Sequence, residues 1–188
     1  MQQKLYLLIL GCTPPGRHTE QHDVFFGIGS SLKELLPAMH LFWNIPTRLH
    51  IDSWREVNVA DSHHIEVVPR HEASAQTHKL FFLNLGGYKP GDPEEYHYKM
   101  LVVAGSTAEA IKKAKASAFY RHTGFQGAES HIDDKYGVDV DDVHEIDDVL
   151  DPHSREKFGL KITPIANAVE DAWHVGYLKI SDIEKNAL

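Results

Sequence analysis

The chain has 188 residues, 42% of them apolar, and a formal net charge of −8 with a pI near 5.9. That is enough to bury a sizeable core as one domain or as two small ones in close contact. The acidic balance argues against nucleic acid and against an anionic membrane surface as partners, since both call for clustered Lys and Arg. Cys12 is the one cysteine, which excludes an intrachain disulfide framework and a cysteine-based zinc ribbon and fits a cytoplasmic protein.

The first element is the apolar run from Lys4 to Gly11, followed by Cys12. It has the look of a short signal sequence ending in Gly-Cys, but it is too short for one. It also returns inside the chain as Lys79 to Gly87, so it reads as a buried strand. No stretch approaches the ~18 consecutive apolar residues of a membrane span. Thr13-Pro14-Pro15-Gly16 is a turn signal, and His22 to Ile28 reads as a second strand. Ser31 and Glu34 have the spacing of a capping box, in which the Ser side chain and the Glu side chain each satisfy a free helical amide. Leu32, Leu35, Leu36, Met39, Phe42 and Trp43 then form one helical stripe, which Pro37 should kink or break. His50-Ile51-Asp52 leads into an alternating stretch with Val57, Val59 and Ile65, and the polar residues 69–78 read as a linker.

The same order then recurs. With Lys4 set on Lys79, 11 of 33 positions through Leu36 and Ile111 are identical. With His50 set on His131, 9 of 19 positions through Val68 and Val149 are identical. Chance identity for ordinary composition is roughly one in fifteen. The second helix opens at Ser106 with Glu109 and should run to about Phe119, and Val138-x-Val140 repeats the later alternation. The fold expected is α+β: two copies of a ββαβ(β) unit, residues 4–68 and 79–150, related by internal duplication about a pseudo-twofold axis, with mostly antiparallel sheet. Residues 151–188 match neither copy. They begin with a turn at Asp151-Pro152-His153-Ser154 and contain two strand-like runs, Phe158 to Ile162 and Trp173 to Ile180. This extension is expected to pack on the repeats, giving one compact domain. Trp173 and Tyr177 are aromatics of the kind that line a homodimer interface.

Glu20-Gln21-His22-Asp23-Val24, His50-Ile51-Asp52-Ser53-Trp54 and Asn84-Leu85-Gly86-Gly87-Tyr88 resemble an uncharacterised bacterial family, domain of unknown function 1543, over about residues 4–150. The resemblance supports the extent of the repeats and the cytoplasmic reading. The family has no assigned activity, so it implies nothing about chemistry.

The polar residues kept in both copies are Glu20/Glu95, His22/His97, His50/His131, Asp52/Asp133, Asp61/Asp142 and His63/His144. Imidazole with carboxylate is the ligand set of zinc, manganese or iron and also serves general acid–base chemistry. Residues two apart on a strand share a face, so Glu20 pairs with His22 and His50 with Asp52. The phases disagree, however. His50 and Asp52 run out of step with Ile51, Val57 and Val59, so the two pairs converge only if the tripeptide departs from regular strand. The plainer reading is that these groups tie down loops.

Three lesser signals are weak. Gly27-Ile28-Gly29 lacks the third glycine of a dinucleotide loop. Cys12 is a lone loop-end thiol. The acidic run from Asp139 to Asp148 reads as a strand edge or solvated face rather than a calcium loop. Nucleic-acid binding would need a basic stripe that Lys112, Lys113 and Lys115 supply only in part, which leaves two functions, the first of them preferred. One is a non-catalytic module for protein interaction or self-association. The other is a protein that binds a divalent transition metal or small ligand at paired sites, with a hydrolase as one form of it. In the second, the four imidazoles bind the metal, Asp52 and Asp133 complete or orient the shell, and Glu20 and Glu95 are bases. Whether the protein is an enzyme stays open, and no catalytic residue is assigned.

Overall fold

Alternating apolar residues in Lys4–Cys12 (β1) place Tyr6, Leu8, Leu10 and Cys12 on one face, and all four are buried in a single core cluster. The computed structural model describes residues 2–44, 48–73, 76–88, 93–116 and 139–185. These fall into two compact units, residues 1–75 with 150–188, and residues 76–149. The fold is α+β, with antiparallel strand pairing throughout the described residues.

In the first unit, β1 is central. Gln21–Gly29 (β2) flanks it on one side and His50–Glu56 (β3) on the other, and His174–Lys179 from the C-terminal region (β10) pairs with β3 at the sheet edge. One face is covered by a 3-10 turn, Leu32–Leu35, by helix α1, Leu36–Trp43, and by the C-terminal helix, Ile180–Lys185. Leu32, Leu35, Leu36, Met39, Ile180 and Ile183 pack there on Leu8, Leu10, Phe25 and Ile51. Pro37 is the reason the stripe divides into two helical pieces: it occupies the first turn of α1, where no amide donor is needed.

Ser31 does not cap with its side chain. The Glu34 carboxylate instead accepts from the Ser30 amide at 2.6 Å, which holds that carboxyl below the usual range. Gly27 and Gly29 have a packing explanation: a Cβ at either would come within 2.9 Å of Leu35 Cδ2.

A second, smaller sheet in this unit joins Val59–Ala60 (β4), His63–Pro69 (β5) and Phe158–Pro164 (β9). Asp61 and Ser62 turn the β4–β5 hairpin with φ of 47° and 59°, and the His63 ring Nδ1 bonds the Asp61 carbonyl at 2.6 Å. Asp61 and His63 therefore tie a turn. A short helix, Arg70–Ala73 (α2), takes up part of the stretch read as linker.

The second unit has Lys79–Tyr88 (β6) between Glu95–Ala104 (β7) and Asp139–Glu145 (β8), with helix α3, Thr107–Lys115, over Phe81, Leu83, Leu85 and Val102. Here the capping box forms. Ser106 accepts from the Glu109 amide at 3.3 Å, and Glu109 accepts from the Gly105 amide at 2.8 Å. The acidic run divides into β8 and a short helix, Ile146–Val149 (α4). Back in the first unit, Asp151-Pro152-His153-Ser154, expected as a turn, starts another helix, Pro152–Lys157 (α5). Asp151 accepts from the Ser154 amide at 3.0 Å and Pro152 stands at the first helical position, which together are a helix start. Burial raises the Asp151 carboxyl, and its bonds to Ser154 outweigh this and hold it below the usual range.

Candidate functional site

The site begins with a bulge. Between β1 and β3, Gly11 lies opposite His50, Leu10 opposite Ile51 and Ile9 opposite Ser53, so Asp52 is an extra residue. A bulge re-aims a side chain that regular pleating would point elsewhere. Ile51 stays in the core under the helices, while His50 and Asp52 both reach the cluster on the other face. This resolves the phase conflict in the sequence. Gly11 also lies opposite His22 on β2, so one glycine sits between two histidines. A Cβ there would collide with His50 Nε2 and meet His22 Cδ2 at 3.0 Å. Only a residue without a side chain lets both rings cross the central strand at this level.

Glu20, His22, His50 and Asp52 converge. His22 Nε2 lies 2.9 Å from Asp52 Oδ2 and 3.5 Å from Glu20 Oε2. His50 Nε2 lies 3.2 Å from Glu20 Oε1 and 3.2 Å from Asp52 Oδ1. Ligand atoms about 2.0–2.2 Å from a tetrahedral metal stand about 3.3–3.6 Å from one another, so these spacings are close to those of a metal shell. Burial is uneven. The His50 side chain is 3% exposed, against 45% for His22, 44% for Glu20 and 32% for Asp52. His50 Nε2 is fully buried and makes no hydrogen bond, although two carboxylate oxygens are near it. A buried nitrogen left in this way is costly unless something else binds it. The Tyr177 ring covers the His50 ring with centroids 4.3 Å apart.

Among the described residues, the second unit builds a related cluster from Glu95 and His97, which the sequence alignment selects, and Asp141, which it does not. In β6–β8, Gly86 lies opposite Asp139, Leu85 opposite Val140 and Asn84 opposite Asp142, which leaves Asp141 as the extra residue. Asp141 thus takes the place of Asp52, and Asp139 the register position of His50. The outer ends of the strands agree: Lys4 bonds Glu56 at 2.8 Å, and Lys79 bonds Glu145 at 2.7 Å. His97 Nε2 lies 3.4 Å from Asp141 Oδ2 and 3.8 Å from Glu95 Oε2. Gly86 is the floor here too, because a Cβ would collide with the Asp141 carboxylate and meet Glu95 Oε1 at 2.7 Å.

His131 and Asp133 lie outside the described residues. The alignment that sets His50 on His131 also sets Val59 on Val140, whereas the strands set Ile51 there. Asp142 and His144 stand in the middle of β8, and Asp142 accepts from Asn84 Nδ2 at 3.2 Å, unlike Asp61 and His63 in their hairpin. Sequence reasoning missed Asp141. The matching Lys–Glu pairs at the far strand ends were the signal that could have found it. Cys12 is fully buried in the core, which is not the exposed, electropositive setting of a reactive thiol.

Residues 17–67 match the family described as Domain of Unknown Function (DUF1543). The matched segment contains Glu20, His22, His50 and Asp52. No curated protein matches the chain. The crystal structure of a protein Il1583 from Idiomarina loihiensis is similar in fold, with a TM-score of 0.63 and 23% identity, covering 95% of this chain and 97% of that one. At that identity the likeness concerns fold. Among the described residues, no helix is long and apolar enough to cross a membrane.

Proposed function

We propose that this protein binds a divalent transition metal at Glu20, His22, His50 and Asp52. The observation that carries the reading is His50 Nε2, which is buried, lacks a hydrogen bond and points between two carboxylates. Two imidazole nitrogens facing two carboxylates must share either protons or a metal cation, and a divalent ion is the cation that reaches all four groups together. A metal satisfies all four groups at once, and nitrogen with oxygen donors suits zinc, manganese, iron or nickel over calcium or magnesium. In the hydrolase form of this reading His22, His50 and Asp52 would hold the metal, and Glu20, the more loosely held carboxylate, would serve as the base instead of as a ligand. The lone cysteine and the acidic charge support a cytoplasmic setting.

The test is elemental analysis of tag-free protein purified without chelator, followed by zinc titration of the native protein and of His50→Ala. Near-stoichiometric metal that is lost in the variant is the expected result. Native protein that carries no metal and binds none on titration would leave the cluster as a structural tie.

Self-association is the second reading. It rests on edge strand β10, where Val175 is 82% exposed and Tyr177 62%. Sedimentation velocity of the native protein and of Val175→Lys checks it. A monomeric native protein would rule it out.

A further inference from the structure

A transition metal held by these four groups can expand its shell to take one more ligand, and the half-exposed Glu20 and His22 leave the solvent side as the way in. On β10, Lys179 lies directly opposite His50, and residues paired in this way share a face of the sheet. That face is the one on which His50 meets Glu20, His22 and Asp52. Lys179 is exposed and makes no ion pair among the described residues, in a chain with eight more formal negative charges than positive ones. Beside it on the same strand, a register shift between Val175 and Leu178, with Gly176 at φ 143°, brings Tyr177 over the His50 ring. One edge strand thus supplies both a wall and a cation next to the cluster.

From this we infer that the site takes a small ligand with an oxyanion head group, carboxylate or phosphate, which coordinates the metal and places its charge against Lys179. The chemistry is consistent in charge. Two carboxylates neutralise a divalent ion, so an incoming anion brings net negative charge that an unpaired ammonium answers. The access is consistent as well, because Glu20 and His22 are each nearly half exposed while His50 seals the inner side.

This inference rests on the metal reading, and cobalt(II) separates the two. Cobalt substitutes for zinc in such sites and reports its coordination through visible absorption. Cobalt-loaded native protein is titrated with inorganic phosphate and, in a parallel arm, with acetate. Either anion should shift the cobalt bands at saturable concentration, and the arm with the higher affinity names the head group. Lys179→Met keeps the length of the stem and removes the charge. It should leave cobalt affinity within about threefold and weaken anion binding about tenfold, whereas Lys179→Arg should retain it. Bands that neither anion moves, or an equal response in Lys179→Met, overturn the oxyanion site while leaving the metal reading intact. Failure of the native protein to bind cobalt overturns the metal reading first.

Discussion

Gly11 and His50 face each other across β1 and β3 so closely that the His50 ring nitrogen occupies the space where a Cβ on residue 11 would stand. The glycine is therefore part of the site without offering it any chemistry. Gly11→Ala should push His50 off its position and lower metal affinity at least tenfold. Overpacking of this kind costs about 1–3 kcal/mol, which a fold of this size tolerates. Isothermal titration with zinc, beside circular dichroism of the same sample, checks both halves. An alanine variant that binds zinc normally would show that the cluster does not need this close approach.

His50 also sets a cost the protein bears without metal. Its buried, unbonded Nε2 is destabilising in the apo form, and replacing such a group by an apolar one of similar shape is neutral or favourable. His50→Phe should melt at or above the native temperature in chelator. With metal at a hundred times its dissociation constant, the native protein should gain about 2.7 kcal/mol and the variant none. Scanning calorimetry with and without zinc decides this. A variant that is strongly destabilised in chelator would point to a structural pairing of His50 with the carboxylates.

Arg55 is a second buried polar group, and its role is mechanical. Its guanidinium bonds Glu170 at 2.9 Å and lies 5.1 Å from the Trp173 ring centre, while Asp171 accepts from the amides of Asn58 and Val59 at 2.7 Å. Together these hold the segment before β10 onto the end of β3. Arg55→Ala should cost about 2 kcal/mol, since the half-exposed Glu170 is left in water and the loss is the hydrogen bond and the packing of the stem, and it should expose residues 165–173 to proteolysis. Urea unfolding and limited digestion measure the two effects. Unchanged digestion would mean that Asp171 holds the segment alone.

Tyr6 provides the pH dependence. Burial first, then the nearby Glu56 and Glu34 carboxylates, push its hydroxyl up to about 12. The folded state thus keeps a proton that the unfolded chain releases near pH 10. The stability this gives is fully present below pH 10 and is lost as pH rises from about 10 to about 12. Tyr6→Phe should flatten that alkaline decline. Chemical unfolding at pH 9, 10 and 11 tests it, and parallel curves for the two proteins would remove Tyr6 as the cause.

Much of this protein can be read from its sequence. The strand at Lys4–Cys12 and its return at Lys79–Tyr88 follow from apolar runs that must be buried, and the helices after Ser31 and Ser106 follow from stripes with helical spacing. Glu20, His22, His50 and Asp52 stood out as a ligand set by residue type and by their return in the second copy. Their meeting could not be read, because period-two alternation sends His50 and Asp52 out of step with the core. Only a bulge set by strand register against β1 brings them to one face. The second cluster shows the same division more sharply. Residue identity singles out His131 and Asp133, which lie outside the described residues, and gives no sign of Asp141, which pairing with β6 adds, because hydrogen-bond register acts between strands distant in sequence and leaves little trace in either one. Residue types determined what chemistry this chain can offer, and the tertiary structure decided which copies of those residues meet, because only packing across the sheet fixes register.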